Sequence, residues 1–177
     1  MDKIEILSTN LLDEQRQTVT ELKQLAVSLK LEFGWHYLLD LAWIINCLRA
    51  GGKLEAGLKI LDAGAGTGVL QWYLADHGAE VISVDRMSRA DLPLRFRNRF
   101  QVVGMRKGNQ PDLYPPAQML TSSLRKPRRA LSQVKEAINT VGAEHGPGKV
   151  ILYNQDLKHL TDIPDASLDA VVAVSAL

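Results

Sequence analysis

Residues 58–75 read LKILDAGAGTGVLQWYLA, and the rest of the chain is arranged around them. The apolar opening (Leu58, Ile60, Leu61) has the make-up of a buried parallel strand. Asp62 follows, then three glycines at alternate positions, Gly64, Gly66 and Gly68. Val69, Leu70, Tyr73 and Leu74 then recur at helical spacing. A strand, a glycine turn and a helix in succession aim backbone N–H groups and a helix N-terminus at a ligand. Glycine suits the turn because it takes positive φ and because a Cβ would hold a ligand off the backbone. A dinucleotide fingerprint requires its third glycine three residues after the second, and Val69 occupies that position.

Residues 80–84 (EVISV) form a second apolar strand that ends on Asp85, 21 residues after Gly64. In ribose-binding βαβ units an acid at about that separation accepts from the ribose hydroxyls. A third strand, 149–153 (KVILY), leads into Asn154, Gln155 and Asp156, and the tail 163–177 reads IPDASLDAVVAVSAL with a fourth strand at 170–177. A crossover helix is expected at 67–77. Strand–helix alternation of this kind argues a doubly wound parallel α/β sheet with right-handed crossovers. Two helices precede it. Residues 12–31 carry Val19, Leu22, Leu25, Ala26 and Leu29 on one face, and the more apolar 35–50 is stopped by Gly51 and Gly52. Trp35, His36 and Tyr37 are expected to pack in the core, with a place over a ligand of the sheet as their alternative.

Four features in this order are the Asp-x-Gly-x-Gly-x-Gly turn, Asp85 ending strand two, Asp156 after strand three, and the Pro-Asp-x-Ser-x-Asp turn at 164–169. Over 58–85 and 149–177 the chain resembles the class I S-adenosylmethionine-dependent methyltransferases. The resemblance implies a Rossmann-like fold whose seven strands lie in the order 3-2-1-4-5-7-6. Only the first four are visible, so it implies the cofactor-binding half of a longer protein. Residues 170–177 would then form an apolar, uncharged edge, and self-association of the segment is expected.

The resemblance also implies the site. Asp62, Ala63, Gly64, Gly66 and Gly68 would hold the methionine end of S-adenosyl-L-methionine, with the acid matched to its cationic amino group. Asp85 would accept from the ribose hydroxyls, with Arg86 also among the cofactor-binding residues; Asp156 would lie at the adenine amino group, and Leu157 would offer a backbone N–H to the ring. Ser175 and Ala176 would line the cleft where the sheet order reverses. Two of the acids have a structural alternative: Asp85 as a carboxylate capping the next turn, and Asp156 as an N-cap for 157–160. Methyl transfer from a sulfonium is an in-line displacement that depends on positioning. No catalytic residue is assigned, no metal is implied, and the methyl acceptor is unidentified. His145 and His159, the histidines nearest the strand ends, are read as surface residues. Two rival functions stay open, a non-catalytic S-adenosylmethionine-binding module and an NAD-linked oxidoreductase.

Length sets one domain of 177 residues, with helices in 1–57 packing on a sheet domain at 58–177. The single cysteine, Cys47, excludes an internal disulfide and a cysteine-cluster metal site. Neither an apolar leader nor a long apolar run is present, so a cytoplasmic protein without membrane contact is expected. The net charge of +1 conceals an asymmetry, because residues 86–135 hold twelve Lys and Arg against two acids, Asp91 and Asp112. That connection between strands two and three is longer than one crossover helix needs. A helix at 131–141 is expected to supply the crossover, leaving about 98–127 as a basic insertion. Its two clusters, Arg95, Arg97, Arg99, Arg106 and Lys107, then Arg125, Lys126, Arg128 and Arg129, admit a nucleic-acid or anionic-substrate contact. A solvated loop, or a surface paired with the acidic remainder, is the alternative.

Overall fold

The computed structural model describes residues 6–105, 113–123 and 145–174. The chain divides into two compact units, Met1–Leu54 and Glu55–Leu177.

The first unit is helical. The expected helix at 12–31 is two helices, α1 (Asn10–Glu14) and α2 (Arg16–Leu29), separated at Gln15, whose φ of −102° and ψ of 32° leave the helical region. The apolar stripe of α2 is buried at Val19, Leu22, Leu25, Ala26 and Leu29. It ends at Lys30 in the left-handed region, whose N–H donates to the carbonyls of Ala26 and Val27. The third helix, α3 (Trp35–Ala50), has the expected bounds and packs on α1 and α2. Arg49 Nη1 donates to Thr18 Oγ1 at 3.1 Å and so ties α3 to α2. His36 and Trp35 both depart from the expected core role and Tyr37 is only partly buried; Trp35 is 56% exposed with its ring against His36. It is the first residue of α3, where the N-terminal end of the helix leaves no turn to cover it.

The second unit is α/β with a five-stranded, wholly parallel sheet, as in a Rossmann-like fold. Its elements in chain order are β1 (Lys59–Ala63), α4 (Leu70–Asp76), β2 (Glu80–Asp85), α5 (Leu94–Arg99), β3 (Gln101–Gly104), α6 (Pro116–Ser123), β4 (Lys149–Asn154) and β5 (Ala170–Ala173). The spatial order is β3-β4-β2-β1-β5. The four strands expected from sequence are β1, β2, β4 and β5, and they lie side by side as third, second, first and fourth. β3 is additional. It falls inside the segment expected to be an insertion and pairs with β4 from Gln101↔Lys149 to Gly104↔Leu152. Four residues, QVVG, give too short an alternation to be read as a strand beside such basic neighbours. The second basic cluster and the expected crossover helix at 131–141 lie outside the described residues.

Alternation along the strands sends side chains to the two faces of the sheet. Ile60, Val81 and Val150, all fully buried, stand in register on one face, with α4 packed over β2 and β4. Trp72 of α4 anchors this layer, its ring centroid 4.8 Å from that of Phe96 and 5.2 Å from that of Phe100. Close approach of α4 explains Gly148: a Cβ there would collide with the carbonyl oxygens of Ala75 and Ala79. Leu61, Ile82, Val84 and Tyr153 form the opposite face, covered by Leu160, Ile163 and Leu168 from the connection into β5. That connection is fixed by the 164–169 turn. Ser167 Oγ donates to the Pro164 carbonyl, and the Lys59 N–H donates to Asp169 Oδ2 at 2.8 Å, which docks β5 beside β1. Among the described residues, no helix is long and apolar enough to cross a membrane.

Candidate functional site

The chain leaves β1 toward β2 on one side and reaches β5 on the other, so the sheet order reverses beside the carboxyl end of β1. Parallel sheets bind ligands at such reversals. Residues 63–69 make the turn there. Gly64 and Gly66 have φ of 73° and 50°, in the left-handed region that favours glycine. Gly64 and Ala65 donate their N–H groups to the Val84 carbonyl at 2.9 and 3.0 Å, and Gly68 N–H donates to the Ala65 carbonyl at 2.9 Å. A Cβ on Gly66 would meet only Asp85 Oδ2, at 3.7 Å, and otherwise project into open space. The outer side of the turn is therefore free for a ligand to approach the backbone.

Asp85, the last residue of β2, serves the turn directly. Its Oδ2 accepts from Gly66 N–H at 2.8 Å and its Oδ1 from Met87 N–H at 2.7 Å. The capping alternative is thus realised. Each oxygen retains a further lone pair, so the half-buried carboxylate keeps capacity for hydroxyl donors.

Asp62 is 3% exposed, and no described residue donates a hydrogen bond to its carboxyl group. Burial pushes it up to about 7, with the nearby Arg89 charge opposing and the Asp85 charge assisting. A buried acid without a donor is costly to ionise and invites a cation. Ala63, next to it, is buried at the end of β1.

Beneath the turn lies a buried polar network that sequence reasoning did not find. Ser83, the register partner of Asp62, donates from Oγ to Gln71 Oε1 at 2.6 Å. Gln71 Nε2 donates to the Gly68 carbonyl at 3.1 Å and to those of Ala65 and Gly66 at longer range. Arg89, also 3% exposed, donates to Ser83 Oγ, to the carbonyls of Ser83 (2.8 Å), Tyr153 (3.1 Å) and Gly66 (3.4 Å), and to Asn154 Oδ1 (3.3 Å). Burial lowers its pKa to about 10, with Asp85 and Asp62 acting against that shift. The signal for this network was present: Ser83 and Gln71 interrupt otherwise apolar runs, and a buried polar side chain must find partners.

The remaining expected residues stand apart. Asp156 Oδ1 accepts from Lys158 N–H at 3.0 Å and caps the 3₁₀ turn Leu157–His159, which is its structural alternative. That hydrogen bond, with the charges of Lys158, Arg86 and His159, holds its carboxyl below the usual range. Arg86 and Leu157 are exposed, and Ser175 and Ala176 lie outside the described residues. The first basic cluster is largely spent on structure. Arg97 donates to the carbonyls of Tyr114 (2.6 Å) and Ala90 (3.1 Å), Arg99 pairs with Asp76 at 3.2 Å, and Arg95 lies over the Phe96 ring. His145 bonds through Nε2 to the Arg97 carbonyl at 3.1 Å. Arg106 and Lys107 lie outside the described residues.

Two acids and one fully hydrogen-bonded arginine make this site suited to a cation and to hydroxyl donors. No family model, curated protein or solved structure matches this chain.

Proposed function

We propose that the second unit binds S-adenosyl-L-methionine and is the cofactor-binding part of a methyltransferase with an unidentified acceptor. The observation that carries the reading is Asp62, 3% exposed and with no donor among the described residues, beside an open glycine turn. The residues fit the group. Asp62 would face the cationic amino group, the backbone of 64–68 would lie along the methionine part, and Asp85 would accept from ribose hydroxyls with the lone pairs that Gly66 and Met87 leave free. When bound, the cofactor supplies an electrophilic methyl group on sulfur. The chain contributes position: the turn and Asp85 are already joined by a hydrogen bond, so little ordering is left for the moment of binding.

In the NAD-linked alternative Asp85 would serve the ribose equally well, but the pyrophosphate would lie at the glycine turn beside Asp62, where an acid suits a cation better than an anion. Calorimetric titration of the chain with S-adenosylmethionine, S-adenosylhomocysteine and NAD tests the reading. Binding of the two sulfur compounds and none of NAD is expected. Binding of NAD alone, or of none of the three, overturns it.

A further inference from the structure

Arginine has five N–H groups in a rigid planar fork. In Arg89 all five have an acceptor: Nε on Asn154, Nη1 on Ser83 Oγ and the Gly66 carbonyl, Nη2 on the carbonyls of Ser83 and Tyr153. The backbone N–H of Arg89 reaches Asn154 Oδ1 as well, at 3.2 Å. These acceptors belong to three separate segments, the glycine turn, the carboxyl end of β2 and the carboxyl end of β4. Every one is neutral, and no ion pair joins Arg89 to a carboxylate of the described residues.

A buried guanidinium without a paired carboxylate is an expensive way to hold a core together, and apolar packing would serve that purpose better. Its value lies in geometry and charge at this place. One planar group sets the spacing of the glycine turn against the ends of β2 and β4. Its charge also lies close enough to Asp62 and Asp85 to offset the repulsion between them. We infer that Arg89 is the positioning residue of the cradle, fixing the Gly66 side of the turn against the ends of β2 and β4 from beneath. It does not touch the ligand. The inference rests on the turn being a cofactor cradle, although its geometric part stands without a ligand.

The test uses the full 177-residue chain with Arg89→Met and Arg89→Lys, the second keeping the charge and losing the fork. Amide hydrogen exchange is followed at Gly64, Ala65 and Gly66, whose N–H groups are bonded in the turn, and at ladder amides of β1 and β2 such as Ile60 and Val81. Titration with S-adenosylmethionine is run on the same samples. In Arg89→Lys the turn amides should exchange about tenfold faster or more, the worth of one charge-assisted hydrogen bond, while the ladder amides change less. The dissociation constant should rise by about the same factor. Arg89→Met should show the larger effect, and if it fails to fold the lysine variant still decides. Equal acceleration of turn and ladder, or no acceleration at the turn, overturns the positioning role. Faster turn exchange with unchanged affinity overturns its service to the cradle. If the unaltered chain takes up no S-adenosylmethionine, the function proposed above fails, while the exchange pattern still tells whether Arg89 positions the turn.

Discussion

Replacing Asp62 by asparagine isolates the buried acid beneath the glycine turn. The change preserves shape and removes one titration. In the folded chain the carboxyl group ionises at about 7, against 3.8 for the ordinary group. Between those values the native state holds a proton that the unfolded chain has lost. Stability therefore falls as pH rises through this window, the reverse of the usual salt-bridged aspartate. The contribution is fully present below pH 3.8 and is gone once pH has passed about 7. At 1.36 kcal/mol per pH unit the span of about three units amounts to of order 4 kcal/mol. Other groups titrate in both proteins, so the difference between them reports mainly on Asp62, with Arg89 and Asp85 as its charged neighbours.

Urea unfolding followed by fluorescence suits the measurement, because Trp72 is fully buried in the second unit. Near pH 4 the two proteins should be of similar stability. By pH 8 the asparagine variant should be the more stable by of order 4 kcal/mol, with most of the divergence between pH 5 and 7. Ligand binding adds a second arm. An ammonium group beside Asp62 draws its proton away, so the affinity of the unaltered chain should rise with pH toward 7. The affinity of Asp62→Asn should be lower and lack that slope. A stability difference that stays flat from pH 4 to 8 refutes the reasoning, since it would mean that Arg89 keeps Asp62 ionised throughout.

Three further outcomes are expected. Gly66→Val should weaken S-adenosylmethionine binding by calorimetry more than it lowers Tm, because its backbone cost at φ 50° is about 1–2 kcal/mol while the branched side chain enters the ligand's space. Asp85→Ala should weaken that binding roughly 10- to 150-fold and also destabilise, since Gly66 and Met87 lose their acceptor; Asp85→Asn, with one acceptor oxygen left, should lose less stability in urea unfolding. Gly148→Ala should destabilise by about 3 kcal/mol or more in the same assay, because its Cβ meets the backbone of Ala75 and Ala79, which no rotamer change can move.

The strands that carry the site were legible because each is an apolar run bounded by glycine, proline or acid, and buried parallel strands have that pattern. The glycine turn was legible for a related reason: only glycine takes φ of 73° and 50° in alternation so readily. β3 was not, since the two valines that pair it with β4 are flanked by Arg99 and, two residues past the strand, by Arg106. Local charge outweighs a two-residue apolar signal, and only the neighbouring strand makes it a strand. Arg97, Arg99 and Arg89 show the same limit from the other side. In sequence they are three members of one basic run, yet two brace loops and helices through carbonyls and Asp76, and the third lies buried under the turn. Charge counted along a chain treats them alike, whereas burial separates them. Arg89 is assigned its place by Ser83 and Asn154, residues 6 and 65 positions away, and no window along the sequence joins those two. The acids behave differently because their positions at strand ends are set by the strands themselves. Asp62 and Asp85 end up beside the turn wherever β1 and β2 pair in register, and Asp62↔Ser83 is that register. The glycine turn and its acids are thus read from local pattern, and what holds the turn in shape is read only from the fold.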